Sequence, residues 1–118
     1  MPFWRQDVIQ PALDAGVDAE IREQETRIHS SPADPIAHFA LASLAHFRGQ
    51  TEKAIQHFEK AIELDPSYAA PHVSLGRIYA VRGDYDRAWE YAQEAARRGD
   101  STLLDQLERY PNLAKIRQ

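Results

Sequence analysis

Between Ile36 and Phe47 the apolar residues Ile36, Phe39, Ala40, Leu44 and Phe47 recur at three- and four-residue steps. That spacing lines one side of an α-helix. Asp34 and Pro35 form the start signal: the carboxylate can cap free backbone N–H groups, and a proline in the first turn forfeits no hydrogen bond. Gly49 is the stop signal, because a glycine just past the last turn takes the left-handed conformation that closes a helix. From about Glu52 to Leu64 a second apolar side follows, formed by Ala54, Ile55, Phe58, Ala61, Ile62 and Leu64. Thr51 opens this helix and Asp65-Pro66 ends it, since the residue before a proline is biased away from helix.

The same pattern returns at an offset of thirty-four residues. Pro35 to Tyr68 overlies Ala69 to Thr102, with His38 over His72, Leu41 over Leu75, Leu44 over Ile78, Arg48 over Arg82, Gly49 over Gly83, Ala54 over Ala88 and Ala61 over Ala95. The second pair of helices is predicted at about Pro71 to Val81 and Tyr85 to Arg97, with Asp84 opening the latter and Arg97-Arg98-Gly99 closing it. A repeat of this period, read as helix, turn, helix, predicts an all-α solenoid of antiparallel helix pairs. Ala54, Ala61, Ala88, Ala95 and Gly76 mark close helix crossings, where a bulky side chain would cost ~1–3 kcal/mol through overpacking.

The flanks follow the pattern loosely. Asp18 to His29 reads as a helix with a narrow stripe of Val17, Ile21 and Ile28, and Pro32 stands in register with Pro66. Glu20, Gln24 and Arg27 occupy the places of Ala54, Phe58 and Ala61, so the segment is expected to be a degenerate half-repeat acting as a cap. Residues 3–15 carry Phe3, Trp4, Val8, Ile9, Ala12 and Leu13, and Pro11 and Gly16 predict a short broken helix there. Ser101 begins a closing helix through Leu103, Leu104 and Leu107, interrupted at Tyr110-Pro111. The expected organisation is one domain: an amino-terminal segment 1–34, units 35–68 and 69–102, and a carboxyl-terminal cap and tail 103–118.

Composition narrows the function classes. A chain of 118 residues with 43% hydrophobic and 27% charged residues is an ordinary globular composition. Without an apolar run of ~18 residues or a basic-then-hydrophobic start, membrane insertion and secretion are not expected, and cytoplasmic residence is the default. Cysteine is absent, which removes disulfide and thiolate chemistry. Residues 1–68 hold eleven acids against six Lys and Arg, and residues 69–118 hold seven against eight. Neither half has the dense basic patch of a nucleic-acid binder.

Catalytic and metal chemistry find no setting. No serine or histidine stands in a nucleophile motif, and no glycine-rich loop follows a strand. His38 and His46 are two turns apart on one helix, and His38 and His72 are repeat equivalents about one repeat width apart, so no ligand set converges. His29 and His57 are expected to be exposed. No cofactor and no metal are expected, and the chain is not expected to be an enzyme.

With helices paired at this period, the chain resembles the tetratricopeptide repeat family. The match rests on Leu41, Ala54, Phe58, Ala61 and Pro66 in the first unit and Leu75-Gly76, Tyr79, Ala88 and Ala95 in the second. Departures are His38 and His72 at the tryptophan position, Ala92 at the second-helix aromatic and Asp100 at the proline. The resemblance implies a right-handed superhelix whose first helices line a concave face that holds a peptide or helix of another protein. On that mapping the groove would present Ile36, Phe39, Ala40, Ser43, His46 and Phe47 from one unit, and Val73, Ser74, Arg77 and Val81 from the next. Of the basic and amide residues with which family members clamp chaperone carboxyl termini, only Arg77 has a counterpart, which disfavours that ligand.

The expected role is therefore an adaptor or assembly factor whose apolar strip of Phe39, Phe47, Val73 and Val81 takes an amphipathic helix or hydrophobic peptide. The alternative is a self-associating scaffold, a homo-oligomer in which the Phe3-Trp4 segment or a second copy covers the strip.

Overall fold

In the computed structural model the backbone of residues 3–109 and the side chains of residues 15–109 are described. Among the described residues six helices follow one another: α1 Phe3–Ser30, α2 Pro35–Phe47, α3 Thr51–Leu64, α4 Ala69–Val81, α5 Tyr85–Arg97 and α6 Thr102–Glu108. No strand occurs among the described residues. Each helix packs on the next in sequence, most extensively α2 on α3 and α4 on α5, and α6 also reaches back to α4. The radius of gyration is 16.5 Å, above the ~13–14 Å of a compact globule of this length. A layer of serially stacked helices about 21 Å thick has that proportion.

The punctuation works as local chemistry requires. Asp34 Oδ1 accepts the backbone N–H groups of Ile36 at 3.0 Å and Ala37 at 3.2 Å, with Pro35 in the first turn. Asp84 does the same at α5 through the N–H of Arg87. Gly49 and Gly83 have φ of +80° and +84°, the left-handed region that lets each helix close before its partner starts. After α3, Asp65 Oδ1 accepts from Ser67 N at 3.1 Å and Ser67 Oγ at 2.6 Å, fixing the turn at Pro66.

The core is built where small residues allow helices to meet. Ala54, Ala61, Ala88, Ala92 and Ala95 are fully buried, and Phe58 and Leu75 fill the space between them. Removing the Phe58 ring would cost ~3–5 kcal/mol. At the carboxyl-terminal end Leu103 and Leu107 of α6 are buried, so the short closing helix covers the apolar side of the last pair.

The amino-terminal end departs from expectation. The helix foreseen at Asp18 to His29 is the second half of α1, which runs without interruption from Phe3 through Pro11 and Gly16 to Ser30. A proline inside a helix removes one hydrogen bond and crowds the preceding turn; here neither it nor Gly16 ends the helix, so the segment is one long element and not a broken one. At the position of Phe58 in α3, α1 places Gln24, which is 5% exposed. Its amide donates to Glu20 Oε1 at 2.8 Å and accepts from Arg27 at 3.3 Å, and Arg27 also pairs with Asp34 at 3.1 Å. A polar chain thus replaces apolar packing where α1 meets the α2 start. Residues 110–118, including the Tyr110-Pro111 break, lie outside the described residues.

Candidate functional site

Among the described residues the large apolar side chains left in solvent belong to α2 and α4: Ile36 is 56% exposed, Phe47 64% and Val81 89%. His46, Ser43 and Arg77 are exposed beside them, and Ala40 and Ser74 are half-buried. Ser43 Oγ donates to the Phe39 carbonyl at 3.1 Å, so its hydroxyl is engaged by its own helix. Two of the expected strip residues are held from below. Phe39 is half-buried, its ring 5.5 Å from Phe58 and 5.4 Å from Tyr68 between centroids. Val73, 7% exposed, belongs to the core. Phe47 and Val81 therefore stand as the free apolar ends of α2 and α4, whereas Phe39 and Val73 anchor those helices. A face assigned from helical period alone is uncertain by about one position, and Val73 falls on the inward side of that margin.

Between α4 and α6 lies a cavity of about 480 Å³ lined by Arg77, Ala80, Val81, Leu103, Gln106, Leu107 and Arg109. Its walls are apolar and two guanidinium groups edge it. Such a combination suits an apolar segment that carries an acid.

A second cavity, about 340 Å³, lies between α1, α2 and α3, with Ile21, Ile28, Leu41 and Ala45 as its apolar lining and Glu25, His29, Gln50 and Lys53 among its polar groups. His38 and His57 meet beside it, Nδ1 to Nδ1 at 3.2 Å, and His38 Nε2 lies 3.4 Å from the Pro32 carbonyl oxygen. With both rings neutral, His57 Nδ1–H donates to His38 Nδ1, and His38 Nε2–H donates to Pro32. Burial pushes the His57 pKa below its ordinary value, with His38 and then Lys53 adding to the shift and Glu25 opposing it. His57 was expected in solvent; it is half-buried because α1 and α2 close around its end of α3. The pair joins residues nineteen apart on different helices, a contact that the spacing along one helix does not show.

His72, the equivalent of His38, is 5% exposed, and neither ring nitrogen has a hydrogen-bond partner in the protein. Tyr91 stands where His57 does in the first pair, and the carbonyl of Pro66, the counterpart of Pro32, accepts from Arg98 Nε instead. Burial lowers the His72 pKa, the Arg98 charge lowers it further, and Glu94 opposes. Among the described residues no group of three or more His, Cys, Asp or Glu side chains is placed to hold a metal ion. No helix among them is long and apolar enough to cross a membrane.

The helix pairs with glycine-closed turns and alanine crossings define a helical-repeat protein. The family profile described as TPR repeat matches residues 46–83. Tetratricopeptide repeat protein 21B of Mus musculus is 36% identical over 55 residues, 47% of this chain and 4% of that protein. Two proteins named probable biofilm formation methyltransferase WspC also match. The one from Pseudomonas aeruginosa is 30% identical over 97 residues, 81% of this chain and 23% of that protein. Its counterpart from Pseudomonas putida is 29% identical over 86 residues, 72% of this chain and 20% of that protein. The chain thus spans less than a quarter of each of these relatives. Residues 46–83 carry a tetratricopeptide repeat, and repeats of that family generally mediate protein–protein interaction.

Proposed function

We propose that this chain is a non-catalytic adaptor or assembly module that holds an amphipathic helix or peptide of a partner protein across α2 and α4. The observation that carries this reading is the placement of Ile36, Phe47 and Val81, the large apolar side chains left in solvent among the described residues, on these two first helices of their pairs. Arg77 and Arg109, at the edge of the α4–α6 cavity, favour a ligand with an acid beside its apolar residues. The division into units 35–68 and 69–102 between an amino-terminal half-repeat and a carboxyl-terminal cap suits such a module. The relatives named as methyltransferases share only about a fifth of their length with it, and we assign no methyl transfer to this segment.

The test is a pair of serine substitutions, Phe47→Ser with Val81→Ser. Because both side chains are exposed, the melting temperature should hold while a co-purifying partner is lost. Size-exclusion chromatography with light scattering over a hundredfold dilution runs alongside. A mass that falls from dimer to monomer, and is already monomeric in the double variant, would replace this reading with the self-associating scaffold.

A further inference from the structure

The two helix pairs place different side chains at one equivalent spot, and the difference defines a site. In the second pair the rings of Tyr79 and Tyr91 stack, with centroids 5.8 Å apart and planes 2° from parallel. The Arg87 guanidinium lies 5.2 Å from the Tyr79 ring centroid. His72 flanks Tyr91 at 6.0 Å. Thirty-four residues earlier the corresponding positions are Ala45 for Tyr79, His57 for Tyr91, Lys53 for Arg87 and His38 for His72. His38 flanks His57 at 5.5 Å, so the flanking contact is kept. Ala45 supplies no ring, and a cavity of about 340 Å³ lies at that position, lined by Ala45, Lys53, His38 and His57; the equivalent hollow of the second pair, about 590 Å³, has the Tyr79 ring in its wall, with Glu59, Glu90 and Glu94 at its edge. The volume of the first cavity falls in the ~300–1,000 Å³ range of small-ligand sites.

We propose that this cavity is a docking site for a tyrosine side chain of a partner protein, seated where the second pair carries its own Tyr79. The partner ring would stack on His57 as Tyr79 does on Tyr91. Lys53 would meet its face as Arg87 meets Tyr79, an attraction between a cation and the ring quadrupole. Ile21, Ile28 and Leu41 would bury the ring edge. The polar rim distinguishes tyrosine from phenylalanine: Glu25 would accept from, and Gln50 would donate to, a phenolic hydroxyl that has to keep a hydrogen bond on leaving water. The site lies between α1 and α3, apart from Phe47 and Val81, and stands independently of the groove reading above.

The probes are N-acetyltyrosinamide and 4-methylphenol, followed by NMR on the full chain. Both should shift resonances of His57, Leu41 and Ile28, and the double variant Phe47→Ser, Val81→Ser should respond as the native chain does. Ala45→Tyr should abolish these shifts by supplying the ring from within. His57→Ala, a change at a half-buried position, should weaken binding at least tenfold even if Ala45→Tyr fails to fold. Equal binding of 4-methylcyclohexanol would overturn the stacking argument. Response to 4-methylphenol without N-acetyltyrosinamide would overturn the assignment to a protein side chain, and shifts scattered over the surface, or none, would overturn the site itself.

Discussion

Leu103 of α6 is seated directly on the backbone of Gly76 in α4: a Cβ built on Gly76 would overlap Leu103 Cδ2, and would lie 3.3 Å from Tyr91 Cβ and 3.4 Å from the Ala88 carbonyl oxygen. Three helices therefore converge on one missing methyl group. Gly76→Ala gains ~0.5–1 kcal/mol of helix propensity and loses ~1–3 kcal/mol to overpacking. Leu103 is 3% exposed but lines the α4–α6 cavity, so its Cδ2 can turn aside in part, which keeps the loss below the top of that range. The expected outcome is a net loss of about 1 kcal/mol. In a double-mutant cycle with Leu103→Ala, the alanine at 76 should cost less than it does alone, because truncating the leucine removes the overlap. Additive losses in urea unfolding would mean that Tyr91 and Ala88, and not Leu103, set the clash.

Half-buried His57 and buried His72 make stability depend on mild acid. For His57 and His72 the folded pKa lies below the ordinary value of 6.5. The unfolded chain therefore takes up protons first as pH falls. Stability is fully present above about 6.5 and declines from there down to the folded pKa values, below which this contribution is flat. The groups that face His57 are His38, Lys53 and Glu25, and those that face His72 are Arg98 and Glu94. Melting temperature should fall between pH 7.5 and 5.5. His57→Gln with His72→Gln should flatten that fall, and a slope unchanged in the double variant would place its origin in other groups.

His72 also tests the cost of burying a polar ring without a protein partner. An unsatisfied buried group costs ~1–3 kcal/mol, whereas an apolar group of similar shape carries no such penalty. His72→Phe is expected to be neutral or to stabilise by about 1 kcal/mol. At His38, whose two nitrogens are both engaged, the same substitution should destabilise, because it strands the Nδ1–H of His57. Thermal unfolding of both variants at pH 7.5 measures the contrast, and equal effects at the two positions would refute it.

How far the sequence reaches is visible in these same residues. The boundaries of α2 to α5 follow from Asp34, Pro35, Gly49, Asp65-Pro66 and Gly83, because caps and turns are local chemistry that a few neighbouring residues decide. The alanine crossings are legible too, since a repeat period aligns them. α1 is less so: Pro11 weakens a helix without saying whether it kinks or stops. The His38–His57 pair and the depth of Val73 depend on how one helix rotates against the next, and a period of 3.6 residues leaves that rotation open by about one position. The cavity over His57 is hidden for a different reason: it lies between three helices, and the spacing of residues along any one of them does not show the space that Ala45 leaves.

The phenylalanines of α2 separate anchoring from exposure on a single helix. Phe39 packs against Phe58 and Tyr68, whereas Phe47 is 64% exposed. Phe39→Ala should lower stability by ~2–4 kcal/mol, somewhat less than a fully buried ring, and Phe47→Ala should stay within about 0.5 kcal/mol of the native chain. Their effects on association should run the other way. In light scattering or partner binding, Phe47→Ala should produce the larger change at constant fold, while Phe39→Ala should act only as far as it unfolds the helix pair. Proportional losses of stability and association in both variants would make α2 a purely structural element, and the site would then have to move to the α4–α6 cavity and Arg77.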